Sequence, residues 1–374
     1  MKTRVRVVFA INNLAIGGAE RLTVEIIKRF NSERFECILV TSFTQEGESF
    51  LNDLPSHVAV HQLRFAGFSD ISSWIKLYRL LKSLRPDVVV SNLFFSNTLF
   101  RVLKPFVGYK VITCEHNTYV DKSKAHQMVD RILSHYSYRI VAVSKTVAEF
   151  TLKQEDITKE KFVVITNGID IGAWQKKFEK LSSKEVLRQE LGFREDDKVI
   201  LTVARLVPQK NQKLLLEGFA EFHKQYPKST LAIVGDGFLR DTLQKQVNEL
   251  GIKEAVIFFG ARRDVEKFYK ASDIFVLTSD IEGFGLVCIE AMCAGLPVVS
   301  TVTAGPDEYI KDGVNGVLIQ DRSASAVADG IRKVIEGDTS GLRKGALETA
   351  QKYDIATSIE LYEQLLEESL RNQT

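Results

Sequence analysis

Two carboxylates frame one apolar segment of this 374-residue chain. Glu282 opens the turn Glu282-Gly-Phe-Gly285, and Glu290 comes later, inside the run Gly283-Phe-Gly-Leu-Val-Cys-Ile-Glu290-Ala-Met-Cys-Ala-Gly-Leu-Pro-Val-Val-Ser300. A carboxylate in a segment that reads as buried is costly unless something pairs with it or hydrogen-bonds to it. Residues 272–279 read as a buried strand, the two glycines as a turn, and the residues after Gly285 as a helix. That order puts Glu282 and free backbone N–H groups at a helix N-terminus, which suits an anionic ligand. Glu290 lies a turn or two further in, on the floor of a ligand site.

Other stretches carry compatible chemistry. Arg205 and Lys210 lie five residues apart around a proline turn, between a strand and a helix. A bidentate guanidinium and a point-charge ammonium at a sheet edge match a diphosphate; the plain alternative is a solvated surface pair. Gly17 and Gly18 come after the first strand, where small residues let a ligand approach the backbone, or where they simply make a strand-to-helix turn. Val234-Gly235-Asp236-Gly237-Phe-Leu-Arg240 is half a dinucleotide fingerprint. Arg240 replaces its third glycine and no acidic ribose partner ends a second strand, which argues against a nicotinamide enzyme. His116, in Cys114-Glu115-His116-Asn117, ends a strand either as a cleft residue or as a satisfied structural histidine. The remaining histidines lack metal-ligand spacing and Asp280-x-Glu282 is a weak carboxylate pair, so no metal is expected.

Short apolar strands alternating with amphipathic helices must position these groups, the pattern of parallel α/β sheets. Strands are expected near 4–11, 35–42, 57–63, 87–91, 109–114, 139–143 and 162–165, with helices near 18–30, 71–84, 96–104, 126–136 and 145–153. The pattern breaks at Asn167-Gly-Ile-Asp170 and at the charged stretch 175–198, which reads as holding one short helix. It restarts with strands near 198–204, 230–234, 256–259, 273–278, 297–300 and 316–319, and helices near 211–225, 238–250, 264–270, 285–295 and 324–335. The reading is two doubly wound, Rossmann-like domains, 1–170 and 171–355, facing across a cleft, and a helical end, 356–374.

Composition narrows the class. Lys and Arg number 50 against 48 Asp and Glu, a net charge of +2, so bulk charge points to no nucleic acid. Four scattered cysteines (Cys37, Cys114, Cys288, Cys293) form no C-x-x-C pair and suit reduced thiols in a cytoplasmic protein. The N-terminus is too short in apolar residues for a signal peptide, and no run reads as a membrane span.

Taken in order, these motifs resemble the retaining glycosyltransferases of family 4 (glycosyl transferases group 1), with the GT-B fold. The resemblance rests on the Gly-Gly-Ala turn at 17–19, Glu115-His116, Asn167-Gly-Ile-Asp170, Arg205-x4-Lys210, Gly235-Asp236-Gly237 and Glu282-x7-Glu290. It covers the whole chain and is most specific from Ala271 to Gly316. It implies that Arg205 and Lys210 neutralise the donor diphosphate and that Glu290 accepts hydrogen bonds from ribose hydroxyls. Glu282 and the N–H groups of Phe284 and Gly285 would hold the donor sugar. Leu286, Gly235 and Asp236 would line the donor site. Gly17 and Gly18 would lie near the phosphates, and His116 would contact the transferred sugar. Such enzymes work without a metal, and the final helix would cross back onto the first domain.

The resemblance further implies a nucleotide-sugar donor, UDP-sugar first, and a glycan or lipid-linked acceptor in cell-surface polysaccharide assembly. Residues 71–85 space Lys76, Arg79, Lys82 and Arg85 three apart beside Trp74, Ile75, Tyr78 and Leu81. Such a helix could lie on anionic lipid of the inner leaflet, or merely cover the sheet with a solvated basic face. A nucleotide-sugar 2-epimerase on the same fold would need acid/base carboxylates facing the sugar, and none stands out beyond Glu282. Intact Arg205, Lys210, Glu282 and His116 argue against a non-catalytic binding subunit.

Overall fold

A computed structural model of the chain describes residues 4–45 and 47–371. The chain divides into two compact units, one running up to Asn167 and resuming at Ala356, the other Gly168–Ile355. The first boundary therefore falls at Asn167 rather than 170. Residues 1–3 of the expected first domain and 372–374 of the expected final segment lie outside the described residues.

In the first unit the strands are β1 (Val5–Ile11), β2 (Phe35–Thr41), β3 (Ala59–Gln62), β4 (Val88–Asn92), β5 (Lys110–Glu115), β6 (Arg139–Ala142) and β7 (Phe162–Val164). They form one parallel sheet in the order β3-β2-β1-β4-β5-β6-β7. Helices α1 (Gly18–Arg29), α2 (Ile71–Leu84), α3 (Phe94–Val107), α4 (Lys124–Leu133) and α5 (Lys145–Glu155) join successive strands. Central strands such as Val88-Val-Val90 are fully enclosed because helices cover both faces of the sheet. In α2 the local causes are plain. Asp70 caps the helix by accepting from Ser73 N at 3.1 Å, while Leu77 and Leu81 point into the core. Burying each leucine contributes roughly 1.5–3 kcal/mol. Arg85, in the left-handed region at φ 47°, ends the helix.

The second unit holds β8 (Lys198–Val203), β9 (Ser229–Val234), β10 (Val256–Gly260), β11 (Ile274–Leu277), β12 (Val298–Thr301) and β13 (Gly316–Ile319), parallel in the order β10-β9-β8-β11-β12-β13. Its helices are α6 (Ile171–Lys180), α7 (Lys184–Glu190), α8 (Gln212–Gln225), α9 (Arg240–Glu249), α10 (Val265–Ala271), α11 (Leu286–Cys293), α12 (Pro306–Tyr309), α13 (Ala324–Glu336) and α14 (Thr339–Ala350). The charged stretch expected to hold one short helix in fact holds most of α6 and all of α7. Ile171, Trp174 and Phe178 recur at helical spacing among lysines, and Trp174 is buried against Tyr269.

Strand order reverses between β1 and β4 in one sheet and between β8 and β11 in the other. At such switch points the loops leaving neighbouring strands diverge and open a crevice at the carboxyl ends. Every candidate residue except Glu290, Leu286 and the glycine pair lies on a loop or strand end at that edge; those exceptions open or occupy the helices beyond it.

The loops at the β8 and β9 ends are laced together, with Leu206 N donating to Asp236 O at 2.9 Å. Gly235 has φ 135°, and a Cβ built there would stand 1.9 Å from Ala204 O. Gly235→Ala is therefore expected to destabilise the second unit by more than about 2 kcal/mol. An unchanged urea-unfolding midpoint would show that the loops separate without penalty.

Candidate active site

Lys210 and Glu282 come from the two sides of the β8/β11 switch. After β8, Pro208–Lys210 form a single turn of 3-10 helix, and Asn211, in the left-handed region at φ 45°, starts α8. That turn delivers the Lys210 ammonium to Glu282 Oε1 in a short ion pair. Ser279 Oγ donates to the same oxygen at 3.0 Å. A carboxylate only 8% exposed is thereby neutralised and hydrogen-bonded.

Neighbouring bonds hold the turn. Asp280 N donates to Gln209 O at 2.9 Å, and Gln209 Nε2 returns a bond to Ile281 O at 2.8 Å. Arg322 clamps the outside, reaching Asp280 Oδ1 at 2.6 Å and the carbonyls of Ser279 and Val302 at 3.0 and 3.1 Å. The Arg205 side chain is exposed and its guanidinium has no ion-pair or hydrogen-bond partner among the described residues, so it is available to an anion.

Gly285 precedes α11 at φ 78°, a conformation that suits glycine. Tyr309 Oη donates to Phe284 O at 2.9 Å and Gly285 O at 3.1 Å, which turns those carbonyls inward. Gly305 closes the other side, since a Cβ there would lie 2.2 Å from Phe284 Cα. Leu286 is the half-buried first residue of α11. Glu290, on the same helix, is 2% exposed and accepts from Tyr269 Oη at 2.9 Å. Asp236 is exposed; its carboxylate binds Gly237 N and Arg240 Nη1, each at 2.8 Å. The structure thus joins Lys210 directly to Glu282 and laces the Arg205 loop to Gly235 and Asp236.

Gly17, Gly18 and His116 form a separate set in the first unit. Gly17 is the extended residue before α1, and a Cβ on it would lie 2.3 Å from Glu20 Oε2. Negative charge already sits at this turn, so a phosphate there requires Glu20 to swing away. His116 Nε2 lies 2.8 Å from Asn92 Oδ1, while Asn92 Nδ2 donates to Ala10 O across the β1/β4 switch. With the amide so oriented, Nε2 carries the imidazole proton and Nδ1 is left as an acceptor. The ring keeps some solvent contact, but the protein packed around it pushes its pKa down to about 4, so the imidazole is neutral.

Beside it Glu115 is buried and accepts from Asn97 Nδ2 at 3.2 Å. A buried cluster of Arg101, Asp130, Lys122 and Glu155 ties α3, α4 and α5 beneath the same loop. Burial, together with the Glu115 and Glu20 carboxylates, pushes the Tyr119 hydroxyl above its usual range.

Several of these residues carry no motif of their own. Tyr269, Tyr309, Arg322 and Asn92 are ordinary polar side chains whose partners lie far along the chain, while Ser279 and Glu20 act on residues three positions away. Thr303 Oγ1, buried and without a hydrogen-bond partner among the described residues, lies two residues from Gly305 in the wall facing Phe284.

Burial outweighs the nearby lysine and holds the Glu115 pKa up, at about 8. The native state then binds a proton that the unfolded state has released across the interval from about 4.5 to 8, so stability falls as pH rises through it. Glu115→Gln removes that dependence while keeping an acceptor for Asn97. Its stability relative to the parent should rise from pH 5 to pH 8 by at least about tenfold in the unfolding constant, about 1.4 kcal/mol. A pH-independent difference in chemical denaturation would contradict a protonated Glu115.

Comparison with known proteins places this geometry in a family. The family model described as Glycosyltransferase Family 4 matches residues 16–172, and that described as Glycosyl transferases group 1 matches 183–353. An uncharacterized glycosyltransferase of Methanocaldococcus jannaschii is 31% identical over 242 residues, 63% of this chain and 60% of that protein. The UDP-Gal:alpha-D-GlcNAc-diphosphoundecaprenol alpha-1,3-galactosyltransferase of Escherichia coli is 26% identical over 317 residues, 82% of this chain and 81% of that protein. The alpha-monoglucosyldiacylglycerol synthase of Acholeplasma laidlawii is 31% identical over 160 residues, 42% of this chain and 40% of that protein. The crystal structure of Anabaena HepE in complex with UDP-glucose superposes with a TM-score of 0.85 at 24% identity, covering 99% of this chain and 100% of that one. That likeness carries the GT-B fold class. With one family model on each unit and the two together spanning most of its length, the chain belongs to the group 1 glycosyltransferases.

Proposed function

We propose that this chain transfers a hexose or N-acetylhexosamine, with retention, from a UDP-sugar to a glycan or lipid-linked acceptor in cell-surface polysaccharide assembly. The observation that carries the reading is the Lys210–Glu282 pair at the β8/β11 switch, with the unpaired Arg205 guanidinium on the adjoining loop. Donor diphosphate would draw Lys210 and Arg205 onto its oxygens, leaving Glu282 and the turn before α11 to hold the sugar. Stabilising the leaving diphosphate is then electrostatic work done by preorganised cations, without a metal. Glu290, fixed by Tyr269, would take the ribose hydroxyls. Neutral His116, with Nδ1 as acceptor, would contact the transferred sugar. Leaving group and acceptor would share one face of an oxocarbenium-like sugar, and no covalent nucleophile is needed.

UDP is favoured because HepE is described with UDP-glucose and the Escherichia coli relative is named for UDP-Gal. A lipid-linked acceptor is favoured because one relative is named for a GlcNAc-diphosphoundecaprenol substrate and another for the synthesis of a glucosyldiacylglycerol. A cytoplasmic enzyme resting on the inner leaflet is the matching location. On α2, Ile71, Ile75 and Tyr78 are exposed beside Lys76, Arg79, Lys82 and Arg85, none of them ion-paired among the described residues. No described helix is long and apolar enough to cross a membrane.

A screen of UDP- and GDP-sugars, read by released nucleotide, tests the donor. Lys210→Ala and Glu282→Ala should each reduce turnover by at least about 100-fold. Absence of release from every sugar would favour a non-catalytic binding subunit, and an inverted product anomer would refute retention. Reversing Lys76, Arg79, Lys82 and Arg85 to glutamate should depress transfer to a lipid acceptor more than transfer to a soluble one. Equal effects on the two would remove α2 from the acceptor side.

A further inference from the structure

We propose that a pocket at the amino-terminal edge of the first sheet binds the phosphate of an anionic lipid headgroup. Lys110 is the first residue of β5, Arg139 the first of β6, and Lys161 immediately precedes β7. Lys104 joins them from the last turn of α3, and together they line a pocket of about 270 Å³. Two tyrosines hold the cations in place. Lys104 Nζ lies 5.7 Å from the Tyr136 ring centre, while Lys110 Nζ and Arg139 Cζ lie 5.8 and 4.8 Å from that of Tyr138. Lys161 Nζ donates to Ser137 O at 2.7 Å.

Among the described residues none of these four cations is paired with a carboxylate. All four are half-buried and line one pocket, so their like charges repel one another. Lys161 registers the result: burial first, then Arg139 and Lys104, lower its pKa. Elsewhere in this unit buried cations carry acidic partners, as Arg101 and Lys122 do with Asp130. An incoming phosphate would supply the charge that the fold omits here.

The surroundings point to a lipid as the source of that phosphate. Phe106, two residues beyond Lys104, is 63% exposed, and Ile132, three before the pocket residue His135, is 56% exposed. Met128, on α4 with Ile132, and Tyr136, which lines the pocket, are exposed as well. Cations with aromatic and aliphatic neighbours suit an interface where headgroups meet hydrocarbon. The pocket is also remote from the candidate chemistry. Lys110 and Glu115 are the two ends of β5, a six-residue strand spanning roughly 20 Å.

Co-sedimentation of the purified chain with vesicles, in the absence of any sugar donor, tests this separately from glycosyl transfer. Vesicles of phosphatidylcholine with phosphatidylglycerol should bind the protein at low salt, and phosphatidylcholine alone should not. The double variant Lys110→Glu, Arg139→Glu should bind at least about tenfold more weakly. Lys104→Gln with Lys161→Gln, a milder pair that leaves no reversed charge, should give an intermediate loss and covers the case in which charge reversal disturbs folding. Wild-type binding by both pocket variants, with loss only on reversing the four α2 cations, would overturn the pocket and leave α2 as the lipid surface. Inorganic phosphate raising Tm relative to a chloride control, in the parent but not the double variant, with no vesicle binding, would overturn the lipid assignment in favour of a soluble anion.

Discussion

A carboxylate that enters a nearly dry turn must be met there by positive charge, and Glu282 is met by Lys210. The requirement reaches outward through the second unit. Lys210 gets there because one 3-10 turn and a left-handed Asn211 bring the chain back over the sheet edge. The receiving turn keeps its shape because Gln209, Thr301 and Arg322 hold its carbonyls, Arg322 also binds Asp280, and Ser279 donates to the Glu282 carboxylate. The pair also sets the resting electrostatics of the site. On the proposed reading a diphosphate would compete with Glu282 for Lys210, so that contact would be an exchange of partners, unlike the one offered by the unpartnered Arg205.

The first unit solves the same problem by other means. Glu115, His116 and Asn92 lie at the carboxyl ends of β4 and β5, where burial penalises charge on every group. Glu115 holds its proton, His116 stays without one, and Asn97 and Asn92 accommodate the resulting neutral forms. Ion pairs are made in the cluster beneath, where Arg101 meets Asp130 and Lys122 meets Asp130 and Glu155. Leu93, a non-glycine residue at φ 69°, makes the sharp exit from β4 that lets Asn92 and Asn97 serve neighbouring positions.

The alternation of apolar strands and amphipathic helices is legible along the chain, because parallel strands buried on both faces leave unbroken apolar runs. α6 is obscure in the sequence because its three apolar residues are diluted by lysines, and their periodicity emerges only once Trp174 is seen against Tyr269. The side chains of the candidate site are legible by type and spacing, but their partnerships are not. Lys210 and Glu282 are 72 residues apart, and Tyr269 lies 21 before Glu290. Local pattern carries no information about which distant polar group will satisfy a buried one. Nor does Gly17 announce in sequence that Glu20 will fold over it.

The final helix, Ile355–Arg371, is fastened to the first unit at several points: Glu363 binds Arg34 and Asn31 N, and Ser358 Oγ donates to Thr166 O at 2.7 Å. At its centre Tyr362 Oη lies 3.6 Å from Cys114 Sγ, on the same strand that leads to His116. Burial lifts the pKa of that thiol to about 12, and a thiol without thiolate character does not react with alkylating reagents. Cys114 is therefore a native clock. Its modification rate under mild conditions reports opening of the packing that encloses β5, in which the terminal helix takes part through Tyr362.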